Sequence, residues 1–432
     1  MGKTLFQNVF VVDPQSPHHL QAKDILIEAG RIIQIAEGNT LANSEIEPID
    51  TLDGTHISPG WVDMQVHLQD PGHEHKETLS QLSRAALKGG FTGLHCLTDT
   101  YPVTDNSQVI QSLISKAQAL PNDFWFSGAL TQHRAGKELA ELYDMYQAGA
   151  VSFSDGVMSS LDSGILLRSL EYTSGFGGLI FVYPFDNGII GDYSANEGPQ
   201  ATALGMKGMP MLSELLRIKR DLHLAEYAKS SLHFQPVTSS EGLAHIYEAK
   251  TQGVSVSAAV GIPYLVQDDS CLETFDSAYK VFPPFRNKEQ VTNLREALKQ
   301  GWIDALCTCH WAQGIEEKNK EFGLADFGML GLQTAYSLVN QALIQSGIMD
   351  HSTLVELLSV NPRNLLQKSL VSIREGYVAN LTVFHPEKKW SLDPKDIPSK
   401  AKNSAFLNQE LTGCVEGIFI GDHFYPSDSQ IT

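Results

Sequence analysis

The chain has 432 residues, a hydrophobic fraction of 42% and a formal net charge of −19 at pH 7. This length allows a large core or several domains, and the hydrophobic fraction is ordinary for a globular protein. The excess of acidic side chains repels phosphate backbones and anionic lipid surfaces, so we expect neither nucleic acid nor a membrane as a partner.

The N-terminal residues, the apolar runs and the cysteines indicate the cellular compartment. Residues 1–8 lack the long apolar run of a signal peptide, and Phe6 stands where a myristoylation signal has Ser or Thr. No stretch approaches the roughly 18 to 20 apolar residues that span a bilayer. The five cysteines are an odd number and thinly spread, which favours a reducing compartment. We expect a soluble, cytoplasmic protein.

The first fifty or so residues are typical of β-strands. Apolar runs at 9–12, 24–28 and 31–35 are separated by turn signals, and Ala29-Gly30 predicts a hairpin turn between the last two. From about 59 to 367, short apolar segments (93–97, 179–182, 305–307) alternate with amphipathic ones at helical spacing (78–88, 211–229, 290–299). Strands return at 378–384 and 417–421.

This alternation predicts an α/β fold with helices outside a parallel sheet. The length of the middle region fits a closed (β/α)8 TIM-type barrel. The two β-rich ends of the chain predict a small β-sandwich formed from both termini. The predicted domains are therefore a β-sandwich of residues 1–57 plus 371–432 and a barrel of residues 58–370.

The most informative motif lies at 59–72 and reads P-G-W-V-D-M-Q-V-H-L-Q-D-P-G. It resembles the first barrel strand of dihydroorotases and related cyclic amidohydrolases, whose pattern is P-G-(F/W)-(V/I)-D-x-H-x-H-L-R-E-P-G. Residues two apart on a strand share a face, so the family's H-x-H directs two imidazoles at one metal in the barrel mouth.

Further matches follow in the family's order along the whole chain. They are Lys76-Glu77-Thr78, Gly89-Gly90-Phe91-Thr92, Asp99-Thr100-Tyr101-Pro102, Phe153-Ser154-Asp155-Gly156, Asn196-Glu197-Gly198, Gly208-Met209-Pro210, Pro283-Pro284-Phe285-Arg286, Glu316-Glu317-Lys318, Phe327-Gly328-Met329-Leu330-Gly331-Leu332, Asn361-Pro362 and Val383-Phe384-His385-Pro386. The chain is identified as a divergent member of that family.

The resemblance also implies a zinc site, and most of its ligands are replaced here. The family holds zinc with the H-x-H pair, a bridging acidic group, two further histidines and a last-strand aspartate that is also the general base. In the same order these positions hold Gln65, His67, Asp155, Tyr183, Pro236 and Cys309. Proline has no side-chain ligand at all. We therefore expect no bound metal or other cofactor.

The positions that resemble the substrate clamp have changed as well. The arginine, the two asparagines and the last histidine of the family's clamp correspond here to Gln69, Asp99, Phe282 and Gln313. An amide lacks the bidentate cation that anchors a carboxylate, and Asp99 is expected to repel the carboxylate of dihydroorotate. Together with the altered ligands, these residues predict a vestigial pocket and a protein that has lost dihydroorotase activity.

The resemblance gives a role for such a chain. Degenerate dihydroorotase-like chains associate with aspartate transcarbamoylase as structural subunits, so the expected function is structural or regulatory within pyrimidine biosynthesis. The family also implies a homo-oligomer, in particular a dimer.

Trp311 and Phe282 are expected to fill part of the old pocket. Arg286 is expected to form a structural ion pair, and the remaining histidines, His95 and His233 among them, are expected to be surface or satisfied core residues.

Two alternatives stay open at this point. In the first, His67, Asp155 and Cys309 hold a single zinc with water as the fourth ligand, and the chain hydrolyses a neutral or cationic cyclic amide. A zinc-bound thiolate cannot also serve as general base, which weighs against this hypothesis. In the second, the pocket binds a ligand without turnover.

The Cys307-x-Cys309 pair is a weak zinc motif by itself because no second pair accompanies it.

Overall fold

The N-terminal part of the chain forms the predicted strands. The computed structural model describes residues 2–41, 46, 48–157 and 162–427. The first strands are β1 (Lys3–Val11), β2 (Ala22–Glu28), β3 (Arg31–Glu37) and β4 (His56–Pro59). Ala29 and Gly30 join β2 to β3 as an antiparallel hairpin, with φ values of 50° and 70°. Positive φ at both central residues is what a type I′ hairpin turn requires.

A parallel barrel follows and contains the candidate site. The next strands are β5 (Trp61–Val66), β6 (Phe91–Cys96), β7 (Asp123–Gly128), β8 (Ser152–Phe153), β9 (Ile180–Val182), the separate pair β10 (Ala195–Asn196) and β11 (Gly208–Met209), then β12 (Leu232–Phe234), β13 (Val256–Gly261) and β14 (Ala305–Cys307). All but β10 and β11 form one eight-stranded sheet in sequence order. The His67 N–H donates to the His310 carbonyl at 2.9 Å and joins its two ends. The predicted barrel is confirmed.

Helices cover the barrel. Within the described ranges they are α1 (Leu79–Gly89), α2 (Ser107–Ala117), α3 (Leu142–Gln147), α4 (Ser163–Ser174), α5 (Asn187–Ile190), α6 (Pro199–Ala203), α7 (Leu212–Ala228), α8 (Ser240–Thr251), α9 (Ile262–Val266), α10 (Lys288–Lys299), α11 (Ile315–Lys318), α12 (Ala335–Val339), α13 (His351–Val355) and α14 (Asn361–Leu365). The helices predicted at 78–88, 211–229 and 290–299 are α1, α7 and α10. Over the described residues, no helix combines the length and apolar character needed to cross a membrane.

Helix α1 shows how local sequence sets the ends of an element. Thr78 Oγ1 accepts from the Gln81 N–H at 3.3 Å, and Gln81 Oε1 accepts from the Thr78 N–H at 3.0 Å. This reciprocal capping box satisfies donors that the first turn leaves unpaired. At the other end Gly90 has a φ of 85°, and a Cβ there would lie 2.9 Å from Thr382. Glycine at this position therefore serves both the helix end and the packing against a C-terminal strand.

The chain returns to strands after the barrel, with β15 (Leu381–Ser391), β16 (Glu410–Ile420) and β17 (His423–Pro426). They join the N-terminal strands in one seven-stranded sheet of order β17-β16-β15-β4-β1-β2-β3. The predicted β structure formed from both termini is thus confirmed. Strand β15 begins later than the predicted 378–384, because the residues just before it make an isolated pairing with the β2–β3 hairpin, in which Val378 lies opposite Arg31 and the Ala379 N–H donates to the Gly30 carbonyl at 2.8 Å. The domain boundaries, 1–57 with 371–432 and 58–370, stay a prediction.

The barrel interior contains a buried polar layer. His95 on β6 donates through Nδ1 to the Met64 carbonyl at 2.7 Å, and its Nε2 lies 2.7 Å from Ser152 Oγ. His233 on β12 bonds Ser257 Oγ at 2.7 Å. Burial lowers the pKa of His95 to about 4 and the pKa of His233 to about 3. Both histidines are neutral core residues with hydrogen-bond partners, as the sequence analysis expected.

Candidate active site

The residues singled out in the sequence lie at the carboxyl ends of the barrel strands, where active sites of this fold occur. Gln65 is the last residue but one of β5, and His67 follows that strand. Tyr183 comes directly after β9, and Cys309 lies two residues after β14. Parallel strands bring their carboxyl ends to one rim, so positions far apart in the chain meet there.

A row of hydrogen bonds connects several of these residues across the barrel mouth. The Gln65 amide donates to the Tyr183 hydroxyl at 2.7 Å, and that hydroxyl lies 2.9 Å from His67 Nε2. His67 Nδ1 lies 2.6 Å from Asp99 Oδ2, and Arg134 Nη1 lies 2.9 Å from Asp99 Oδ1. We call Gln65, Tyr183, His67, Asp99 and Arg134 the cross-barrel chain.

Each residue of the cross-barrel chain has a hydrogen-bond or ion-pair partner within that chain. His67 Nδ1 is hydrogen-bonded to Asp99, His67 Nε2 is hydrogen-bonded to the Tyr183 hydroxyl, and that hydroxyl accepts from the Gln65 amide. Burial raises the pKa of Tyr183 well above its ordinary value, which keeps the hydroxyl protonated. Both ring nitrogens of His67 are consequently engaged, and neither offers a free lone pair.

The charge of Asp99 is balanced inside the protein. Burial alone would raise the pKa of Asp99, but Arg134 and His67 together outweigh burial and hold this pKa well below its ordinary value. The expected repulsion of an anionic substrate does not arise, because the Arg134 guanidinium already pairs with the carboxylate. Sequence reasoning missed Arg134. It belongs to no motif and sits in the short turn Gln132–Arg134, where nothing in the sequence indicates its reach.

Asp155, at the bridging position of the family pattern, accepts hydrogen bonds at both carboxylate oxygens and at its backbone carbonyl. Its Oδ1 accepts from the Thr131 N–H at 2.9 Å and its Oδ2 accepts from Thr131 Oγ1 at 2.5 Å. Its carbonyl accepts from Arg134 Nε at 2.9 Å. Burial raises the pKa of Asp155, and the bonds from Thr131 partly offset that rise. The carboxylate therefore anchors the loop that carries Arg134.

Aromatic side chains close the mouth of the barrel. The Trp311 ring stacks on His67 with centroids 4.0 Å apart and planes 7° from parallel. Phe282 is 7% exposed and packs with Tyr183 at 6.3 Å and Phe327 at 6.0 Å between centroids. The cavity left beside these rings has a volume of about 10 Å³, roughly the space that one water molecule needs. Trp311 and Phe282 thus pack over the barrel mouth, where the sequence predicts that they fill part of the family's pocket.

Gln69, Gln313 and Pro236 stand apart from the cross-barrel chain. Gln69 Nε2 donates to the backbone carbonyl of His67 at 3.3 Å. Gln313 accepts from Lys76 Nζ at 2.7 Å and donates to a backbone carbonyl at 2.7 Å. Pro236 is buried just after β12 and brings no polar side chain. The two amides hold loops together at the positions where the family resemblance implies a substrate clamp.

A second buried group of charges supports the rim. Arg286 is 1% exposed, and its Nη2 lies 3.2 Å from Glu214 Oε2 while its Nη1 donates to Asn196 Oδ1 at 2.6 Å. His310 Nε2 lies 3.1 Å from Glu77 Oε2. The predicted structural ion pair of Arg286 is confirmed, and the residues of these motifs serve the scaffold.

Comparisons with known proteins fix the family. A family model described as dihydro-orotase-like matches residues 54–242. The chain is 36% identical over 418 residues to a dihydroorotase of Geobacter metallireducens, covering 96% of this chain and 98% of that one. It is 34% identical over 429 residues to a dihydroorotase of Pelotomaculum thermopropionicum, covering 99% and 100%. The chain belongs to the dihydroorotase family.

Solved structures place this dihydroorotase family member in the same fold as hydantoinases. An L-hydantoinase (dihydropyrimidinase) from Arthrobacter aurescens superposes with a TM-score of 0.86 at 24% identity, covering 100% of this chain and 98% of that one. A D-hydantoinase superposes with a TM-score of 0.83 at 22% identity. These likenesses concern the barrel and the terminal sheet, and they carry no substrate to this chain.

The residues at the family's metal position do not fit a zinc ion. A zinc ligand must present a free lone pair, whereas both ring nitrogens of His67 are held in hydrogen bonds and one lone pair on each carboxylate oxygen of Asp155 is directed at Thr131. The Tyr183 hydroxyl lies between His67 and Gln65. Over the part of the chain that the structure describes, no group of three or more His, Cys, Asp or Glu side chains is arranged to hold a metal ion.

Proposed function

We propose that this dihydroorotase family member acts in pyrimidine metabolism as a non-catalytic subunit. The observation that carries the proposal is the cross-barrel chain. It engages both ring nitrogens of His67 and puts a tyrosine hydroxyl where the family resemblance implies a metal-bound imidazole. With both ring nitrogens of His67 held in hydrogen bonds, we expect the barrel mouth not to bind the metal that would activate water for opening a cyclic amide.

Metal content and turnover test the proposal on one sample. We expect zinc far below one ion per chain by mass spectrometry and no hydrolysis of dihydroorotate, because the ligand positions are occupied by hydrogen bonds. A relative named dihydroorotase, purified and assayed in parallel, shows that the assay works. One tightly held zinc per chain, or turnover at a rate near that of the relative, would contradict the proposal.

The proposed partner is aspartate transcarbamoylase, as the family resemblance implies for degenerate members. We expect the two proteins of the same organism to co-elute in size-exclusion chromatography and this chain alone to elute as a dimer. Light scattering on each peak gives the stoichiometry. Separate elution at concentrations well above those in a cell would refute this partnership and leave the metal result unaffected.

The second candidate is a cyclic amidohydrolase with a rebuilt single-zinc site, held by His67, Asp155 and Cys309. Its support is the near full-length similarity to proteins named dihydroorotase. It requires His67 to release the Tyr183 hydroxyl, so that Nε2 becomes free for a metal ion. Stoichiometric zinc that disappears on Cys309→Ala would favour this hydrolase over the non-catalytic subunit.

A ligand-binding module without turnover has less support. Pockets for small molecules usually measure about 300 to 1,000 Å³, whereas the cavity beside His67 has about 10 Å³. Binding there would require Trp311 and Phe282 to move away from the mouth.

A further inference from the structure

Two thiols lie side by side at the edge of the barrel mouth. Cys307 ends β14, and Cys309 follows two residues later with a φ of 54°. Their sulfur atoms are 3.7 Å apart, and neither cysteine forms a disulfide. Two sulfurs that each bond one shared thiophilic atom at about 2.3 Å lie no more than about 4.6 Å apart. The pair is thus already spaced to share one such atom.

The two cysteines differ in access. Cys307 is buried, and its S–H points to Gln65 Oε1 at 3.4 Å. Cys309 is partly exposed and lines the small cavity beside His67 and Trp311. A reagent that displaces the Trp311 and Phe282 rings at the mouth therefore meets Cys309 first, and the Cys307 sulfur lies 3.7 Å from the Cys309 sulfur. The remaining protein ligands needed to hold a zinc ion are lacking around this pair within the described residues, so the pair suits an atom that two thiols satisfy.

We propose that Cys307 and Cys309 form a dithiol site that binds trivalent arsenicals. An organic arsenic oxide reacts with the two thiols so that two As–S bonds form and the As–O bonds break. The two thiol protons leave with the oxygen as one water molecule. Arsenic stays trivalent, and neither an oxidant nor a reductant takes part. The site does not require the chain to be non-catalytic, but a zinc ion held by Cys309 in the alternative hydrolase would compete with the arsenical for that thiol.

Occupation of this site also acts on the cross-barrel chain. Cys307 loses its proton, and with it the hydrogen bond to Gln65, which in turn donates to the Tyr183 hydroxyl. Trp311 lines the same cavity as Cys309, so bridging the thiols is expected to change tryptophan fluorescence. The thiol pair is therefore coupled to the centre of the old active site.

The test uses the folded full-length chain and phenylarsine oxide. The expected product carries one arsenical per chain by intact mass spectrometry. After unfolding, titration of free thiols falls from five to three. An excess of a dithiol such as 2,3-dimercaptopropanol removes the arsenical, whereas a monothiol at the same thiol concentration leaves it bound.

Cys309→Ser and Cys307→Ala are each expected to lose the adduct on desalting, and Cys271→Ser, a partly exposed cysteine elsewhere, retains it. Circular dichroism verifies that each variant is folded. If Cys307→Ala fails to fold, the partly exposed Cys309→Ser decides. Retention of the adduct by Cys309→Ser, or a wild-type chain that keeps all five thiols free, would overturn the proposal.

Discussion

Tyr183 stands where the family resemblance implies an imidazole, and its side chain shows what one substitution does to a metal site. The ring fills the space near Phe282, and the hydroxyl joins Gln65 to His67. A hydroxyl at this point forms a hydrogen bond with His67 Nε2. One hydroxyl oxygen thus joins Gln65 and His67, two positions that the family resemblance assigns to metal ligands, through hydrogen bonds.

This arrangement predicts the effect of Tyr183→Phe. Loss of the hydroxyl leaves the Gln65 amide and His67 Nε2 without their buried partner, so we expect the unfolding free energy to fall by about 1 to 3 kcal/mol. Urea unfolding followed by circular dichroism measures the change. Tyr193→Phe, which removes a hydroxyl from a neighbouring ring of the same aromatic group, is the control and should change stability less. Equal effects of the two variants would show that the cross-barrel chain is unimportant for stability.

At the scale of elements, the replaced residues and the retained ones occupy different places. The replacements lie at the carboxyl ends of strands, such as Gln65, Tyr183 and Cys309. The retained motifs form caps, tight turns and buried pairs, as in Thr78 and in Glu77 with His310. The strand ends carry chemistry, whereas caps and pairs carry stability. This distribution indicates that the residues that stabilise the fold have been retained, whereas the residues at the strand ends have changed.

The capping box of α1 gives a prediction at this scale. Thr78→Ala removes the acceptor for the Gln81 N–H, so we expect stability to fall by about 1 kcal/mol. Ser80→Ala, an exposed change in the first turn of the same helix, is the matched control and should be neutral or slightly stabilising. Denaturant midpoints of the two variants measure the difference. A Thr78→Ala midpoint equal to that of the wild type would refute the role of the cap.

At the scale of the whole molecule, buried titratable groups set the response to acid. The pKa of His95 is about 4 and that of His233 about 3 in the folded chain, against about 6.5 for an unfolded histidine. As pH falls below about 6.5, the unfolded chain binds protons that the folded chain does not, so stability declines. Asp63, whose pKa burial raises to about 6, acts in the opposite direction because the folded chain takes up its proton first.

His95→Gln isolates one of these contributions. Between about pH 4 and 6 the slope of unfolding free energy against pH should decrease by up to about 1.4 kcal/mol per pH unit relative to the wild type. Urea unfolding at a series of pH values measures both slopes. His223→Gln, at a histidine whose side chain is 84% exposed, is the control and should keep the wild-type slope. Parallel curves for His95→Gln and the wild type would contradict a neutral, buried His95.

Much of the fold follows from local sequence, because periodicity and turn residues act over short distances. The hairpin at Ala29-Gly30 and the bounds of α1, α7 and α10 were predictable from turn and helix patterns. Closing the barrel needs contacts between residues far apart in the chain, such as the bond from His67 to His310. The closed barrel was nevertheless predictable, because the alternation of strands and helices in the middle region and its length fit eight strand–helix units.

The sequence by itself determined that this chain has the dihydroorotase scaffold and lacks most of its metal ligands, since residue identity alone decides whether a side chain can be a ligand. Only the tertiary structure decided what fills the vacated positions. Arg134 reaches Asp99 through a loop whose path no motif encodes, and Cys307 approaches Cys309 because Cys309 leaves the strand with positive φ. Such contacts depend on backbone turns and side-chain directions across the barrel, which a linear pattern does not specify.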